Sequence, residues 1–154
     1  MYAALGAKGA VLTAKHGCGH LLWPTNVSLP GGEEYSFCVG KEKSAIKIDV
    51  LKAFQNSMVK ANITHGFYYS LTNNFYLNVA SHVAHHAPKP LPGQQNVNQT
   101  EFEAIALAQV AELWTNYGQL GEVSRAQAAQ LAALGPHLAS SRRALWRVPC
   151  FVPL

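Results

Sequence analysis

The short apolar run Ala10-Val-Leu-Thr-Ala-Lys15, set between Gly9 and Gly17, predicts a strand buried on both faces, and such a strand demands a covered sheet. The cover is predicted next. From residue 44 to residue 61 the apolar positions Ile46, Val50, Phe54 and Met58 recur every four residues, with Leu51 and Ala61 beside them, as in an amphipathic helix. A second strand is expected at Gly66-Phe-Tyr-Tyr-Ser-Leu71, which is aromatic and flanked by Gly and Asn. Thr100-Glu-Phe-Glu103 fits a capping box, and Phe102, Ile105, Ala106, Val110 and Leu113 continue it as one helix face that Gly118 stops. Leu120-Gly-Glu-Val123 opens a third strand, which the capping pattern Ser124-Arg-Ala-Gln127 and a helix-favouring run to Leu134 cut short.

Strand, helix, strand, helix, truncated strand, helix is the order of parallel β/α units, so the fold class expected is α/β. A complete eight-fold β/α barrel takes roughly 250 residues. At 154 residues the chain supplies only part of one, a partial (β/α) barrel. Beyond Gly135-Pro136 neither helical nor strand periodicity survives, and the division expected is 1–123 as the β/α part and 124–154 as a divergent helix with a poorly ordered tail.

Charged residues make up 13% of the chain, about half the usual share, which predicts marginal solubility. The net charge of +4 is scattered, with lysines spread from Lys8 to Lys89 and arginines gathered near the tail, so no basic stripe marks a nucleic-acid partner. No window reaches membrane-spanning length, and the first residues lack the charged and apolar regions of a signal peptide. Cys18, Cys38 and Cys150 form neither a CxxC pair nor an even set. Asn26, Asn62 and Asn98 each begin an N-x-[ST] sequon.

Two long connections, residues 17–43 and 73–99, follow the predicted strands and are of the kind that carries function. The first opens with His16-Gly-Cys18-Gly-His20, polar residues at the carboxyl end of a strand, where β/α barrels place their binding groups. Imidazole and thiolate are zinc ligands, and His82, His85 and His86 could complete a shell, yet glycines 17 and 19 make the segment a turn and no standard ligand spacing is present. The expectation is therefore no metal and no cofactor. His82, His85 and His86 are read as a solvated loop, Cys18 as a lone thiol, and Phe54, Met58 and Phe67 as packing.

Ala10-Val-Leu-Thr-Ala-Lys-His16 with Gly19, Trp23 and Pro24 resembles the Lys-His-(His)-x-Gly-x-x-x-Trp-Pro pattern of the α-L-fucosidases of glycoside hydrolase family twenty-nine. The likeness runs on through Gly66-Phe-Tyr-Tyr-Ser70, Asn73-Asn-Phe-Tyr76 and Glu112-Leu-Trp-Thr-Asn-Tyr-Gly118 to Gly121-Glu-Val123. It implies the third to fifth strands of a catalytic barrel that releases terminal α-linked L-fucose from fucosylated glycans by a retaining mechanism, in a secreted or lysosomal parent. His16 then corresponds to the first of a histidine pair that hydrogen-bonds the sugar hydroxyls, with Gly17 in the second place. Either Tyr68 or Tyr69 lines the sugar pocket, since strand alternation lets only one face it. Trp23 packs under the site or bounds it.

After the Glu-Val pair, the family continues Trp-x-Asp-Gly, whose Asp is the nucleophile; here Ser124-Arg125 follow Val123. A retaining glycosidase needs two carboxyl groups about 5 Å apart. The resemblance thus implies a sugar subsite of His16, Trp23, Tyr68 and Tyr69 without catalytic residues. The alternatives are a non-catalytic remnant that associates through exposed strand edges, or a truncated product without function.

Overall fold

The computed structural model describes residues 3–123, in which a parallel sheet is backed by helices. The predicted helix of residues 124–134 and the tail lie outside the described residues. In chain order the elements are β1 (Gly9–Lys15), α1 (Val50–Lys60), β2 (Thr64–Tyr69), a small hairpin of β3 (Val79–Ala80) and β4 (Val83–Ala84), α2 (Gln99–Asn116) and β5 (Glu122–Val123). β2 lies between β1 and β5, and both pairings are parallel. The expected α/β order is therefore present, while the barrel closure is not part of what these strands form.

One face of the sheet is covered. Phe67 of β2 meets Phe54 of α1 at 6.2 Å and the ring of Tyr117, just beyond α2, at 5.4 Å. Leu51, Met58, Phe102, Ile105, Val110 and Leu113 are buried on the helix side of this layer. The other face is open: Val11 is 55% exposed and Thr13 is exposed. This corrects the expectation that β1 is buried on both faces. Its apolar sequence calls for a second cover that the described residues do not supply.

Two helix starts also differ from the sequence reading. α1 begins at Val50 because Asp49 caps it, its carboxylate accepting from the Lys52 amide at 2.9 Å. Residues 44–49 are not helical, and Ile46 and Ile48 stand exposed there. The capping box of α2 sits two residues earlier than expected. Asn98 accepts from the Glu101 amide at 2.9 Å, and the Glu101 carboxylate accepts from the Asn98 amide at 2.7 Å. Gly118, with φ of 72°, ends the segment as expected. β2 also starts two residues before its expected position.

Asp49 joins the two helices. One carboxylate oxygen caps α1 while the other accepts the Tyr117 hydroxyl at 2.8 Å. That hydrogen bond, the charge on Asp49 and above all burial push the Tyr117 phenol pKa up, so it stays a donor. Asp49→Ala should cost about 2 kcal/mol, from a lost cap and one lost charge-assisted hydrogen bond. Asp49→Asn should retain most of that, and urea denaturation of the two variants side by side checks the difference.

The connection after β1 folds back on the strand it leaves. The Leu22 amide donates to Ala14 at 3.0 Å, Leu21 accepts from the Val39 amide at 3.0 Å, and the Tyr35 hydroxyl donates to the Gly19 carbonyl at 2.7 Å. Leu21, Tyr35 and Val39 are fully buried, so this long loop is part of the core.

Candidate functional site

At the carboxyl ends of β1 and β2 the pairing slips: Thr13 is opposite Tyr68, but Lys15 is opposite Tyr69. The slip is a β-bulge, and it breaks the alternation of β1. Ala14 and Lys15 are both buried, and His16 emerges into solvent.

His16 and Tyr68 come together there, their rings 6.0 Å apart and tilted by 41°. Tyr68 is half-buried on the open face of the sheet. Tyr69 points the opposite way, 1% exposed, and its hydroxyl donates to Gln109 of α2 at 2.7 Å. Its burial pushes the phenol pKa well up. Trp23 is also 1% exposed, 6.4 Å from Tyr69, with its indole N–H on a Glu112 carboxylate oxygen at 2.8 Å. Of the four residues expected at a sugar, then, His16 and Tyr68 stand at the surface together and Trp23 and Tyr69 lie in the core behind them. Strand alternation thus sets Tyr68 on the open face of the sheet and Tyr69 on the face that the helices cover.

Three residues that hold this end together were missed by sequence reasoning. Glu112 of α2 accepts from the Trp23 indole, from the Thr25 hydroxyl at 2.6 Å and from the Asn26 amide at 2.7 Å. Gln109 takes the Tyr69 hydroxyl. Lys15, 1% exposed, donates through Nζ to the carbonyls of Ser70 and, at 2.7 Å, Asn73, and lies 4.9 Å from the centre of the Tyr69 ring. The available signal for Lys15 was its charge at the end of an apolar strand, since a lysine expected to be buried there needs acceptors. Glu112 carried only its place in the Glu-Leu-Trp run.

Burial lowers the Lys15 pKa from 10.5 to about 7, partly opposed by nearby Cys18. The tie does not depend on the charge, because a neutral amine still offers two N–H donors to two carbonyls. An unfolded chain protonates this lysine more readily than the folded one, so unfolding takes up a proton between pH 7 and 10.5. The stability this confers is present above pH 10.5 and lost as pH falls toward 7. Stability against urea should accordingly rise from pH 7 to pH 9, and Lys15→Met should flatten that slope; an equal slope in both proteins would refute the assignment.

The turn after His16 is bound to the loop after β2. Amides of Phe75 and Tyr76 donate to the carbonyls of Gly17 and Cys18 at 2.8 and 3.2 Å. Beside it lies a groove of about 350 Å³ lined by Gly17, Asn73, Phe75, Asn78, Leu91 and Gln94. His20 is turned away, edge-on to Phe37 at 4.8 Å, and burial lowers its pKa. His82, His85 and His86 are exposed. Among the described residues no three His, Cys, Asp or Glu side chains are grouped to hold a metal ion. Nor is any helix among them long and apolar enough to cross a membrane. The sequon residues Asn26 and Asn62 are exposed, the latter at φ of 52°, and Asn98 is the α2 cap.

Comparison with known proteins gives this arrangement a family. Comparison with curated proteins found no match. Among solved structures, a Bacteroides thetaiotaomicron protein described as an α-L-fucosidase is 28% identical with a TM-score of 0.60, covering 77% of this chain and 25% of its own. α-L-fucosidase isoenzyme 1 of Paenibacillus thiaminolyticus is 20% identical with a TM-score of 0.57, over 77% of this chain and 27% of that one. The α-L-fucosidase AlfC of Lactobacillus casei, solved with α-L-fucose, is 17% identical with a TM-score of 0.60, over 86% of this chain and 44% of that one. The chain thus spans less than half the length of these enzymes. A family model described as Alpha-L-fucosidase matches residues 1–123, and the chain belongs to the α-L-fucosidase family.

Proposed function

We propose that this chain is the part of a fucosidase-type barrel that carries its third to fifth strands, and that His16 and Tyr68 form a subsite for terminal α-linked L-fucose. The observation that carries the reading is their meeting at the carboxyl ends of adjacent parallel strands, 6.0 Å apart and partly open to solvent. An imidazole and a phenol offer both donors and acceptors to sugar hydroxyls. Trp23 and Tyr69 support the subsite from behind, through Glu112 and Gln109. The solved relative holding α-L-fucose supports the choice of sugar.

Hydrolysis is a different matter. A retaining mechanism needs a nucleophile and an acid/base, and Ser124-Arg125 stand where the family pattern continues to its nucleophilic Asp. Asp49 and Glu112 are already engaged in holding helices and loops. On this reading the chain binds fucosylated glycans without turning them over, and Glu122 on β5 is the first carboxylate to suspect should turnover be seen. Release of a chromogenic aryl group from an aryl α-L-fucoside tests this, with circular dichroism as the measure of folding. Turnover by folded protein that vanishes in His16→Ala would overturn the inactive reading. Fucose binding without turnover, weakened in the same variant, is the expected result.

A second reading, association through the uncovered sheet, is favoured by Val11 at 55% exposure on an edge strand. Sedimentation of the wild type and Val11→Lys decides it: self-association that Val11→Lys abolishes is the outcome expected of that reading.

A further inference from the structure

We propose that Lys15 is a positioning residue for this subsite, holding the β-bulge that turns His16 toward Tyr68. The proposal rests on the reading of this strand end as a sugar subsite, but its geometry can be tested without any sugar.

Val11 and Thr13 lie on the open face, so regular alternation would put residue 15 on that face as well and residue 16 toward the helices. The structure has the reverse, with Lys15 buried and His16 beside Tyr68. The reversal arises at the slip between Thr13 and Lys15. A bulge of this kind leaves strand pairing incomplete and needs other contacts to hold it.

Lys15 supplies those contacts from both its main chain and its side chain. Its carbonyl accepts from the Ser70 amide at 3.0 Å. Its Nζ reaches back to the Ser70 carbonyl and across to the Asn73 carbonyl, with the face of Tyr69 beneath. The three bonds clamp the end of β1 to the segment leaving β2. Neighbouring residues on the two sides of the clamp, His16 and Tyr68, are thereby fixed relative to each other. An apolar side chain of the same length would fill the space but leave both carbonyls without a donor, and only main-chain bonds would then oppose a return of residue 15 to regular alternation.

The test is NMR on the full chain, reading two ring-to-ring contacts: His16 with Tyr68, and Phe54 with Phe67 as the control for an intact core. In Lys15→Met the first contact should be lost and the second kept. Persistence of the His16–Tyr68 contact in folded Lys15→Met would overturn the proposal. If Lys15→Met does not fold, Lys15→Arg serves, since it keeps donors at a different reach. His16 and Tyr68 resonances that shift while the Phe54–Phe67 contact stays would support the clamp, and unmoved resonances would overturn it. Titration with α-L-fucose separates the two ideas: Lys15→Met should bind about tenfold more weakly, equivalent to about 1.4 kcal/mol. A wild type that ignores fucose removes the sugar reading, and the ring contacts still decide the clamp.

Discussion

Glu112→Ala should destabilise the chain by about 4 kcal/mol, a large share of the 5–15 kcal/mol that holds a domain of this kind together. The carboxylate serves three donors at once: the Trp23 indole N–H, the Thr25 hydroxyl and the Asn26 amide. With Glu112 in place Trp23 and Thr25 are 1% and 0% exposed, so both donors depend on its carboxylate. The cost is dominated by unpaired buried donors rather than by lost contact area. Glu112→Gln, which keeps one carbonyl oxygen but presents an N–H₂ to the remaining donors, should fall between wild type and alanine. Urea denaturation followed by circular dichroism measures all three. A loss under about 1 kcal/mol in Glu112→Ala would mean that Trp23 and Thr25 find other acceptors, and the triple role of Glu112 would be wrong.

Gly19→Ala should cost about 3 kcal/mol, from two independent sources. The residue has φ of +88°, a conformation that disfavours any Cβ, and an added Cβ would stand 2.1 Å from the Asn74 side-chain oxygen and 2.9 Å from the Tyr76 Cβ. Asn74 cannot simply give way. It is 0% exposed, its oxygen accepts from the Leu77 amide at 3.1 Å, and its N–H₂ reaches the Tyr35 hydroxyl that itself binds the Gly19 carbonyl. Gly31 provides the control, with φ of +84° and nothing within 4 Å of an added Cβ. Gly31→Ala should show only the backbone cost, about 1 kcal/mol. Equal losses at the two glycines would show that packing around Gly19 contributes nothing.

The elements that could be read in the sequence are those fixed by local periodicity. The apolar face Phe102, Ile105, Ala106, Val110 and Leu113 does lie on α2, and the runs around Leu12 and Phe67 are strands. Where two local patterns overlap, the sequence offers no means of choosing. Asn98-x-x-Glu101 and Thr100-x-x-Glu103 both fit a capping box, and the structure uses the first. The four-residue spacing of Ile46 continued that of α1 through a segment that Asp49 closes off. Burial of β1 on both faces failed for a different reason, because an apolar strand records what its full surroundings require and not which residues provide them. At the candidate site His16 was legible from its place after a strand. Glu112 was not, since its partner Trp23 lies 89 residues away and nothing local marks the pair. Which of Tyr68 and Tyr69 is buried likewise depended on where α1 and α2 pack.

The loop that folds back on β1 also bears on how the chain emerges during synthesis. β1 ends at Lys15 and its partner β2 begins only at Thr64, so at ordinary elongation rates β1 leaves the ribosome roughly 2–10 s before the strand it pairs with. The edge of β1 that takes β2 stays open over that interval, and an open strand edge invites capture by other chains. Leu22 bonding back to Ala14, and Leu21 lying between Lys15 and Cys38, need nothing beyond the first 40 residues. The carboxyl end of β1 can thus be sheltered by its own continuation while α1 and β2 are still being made.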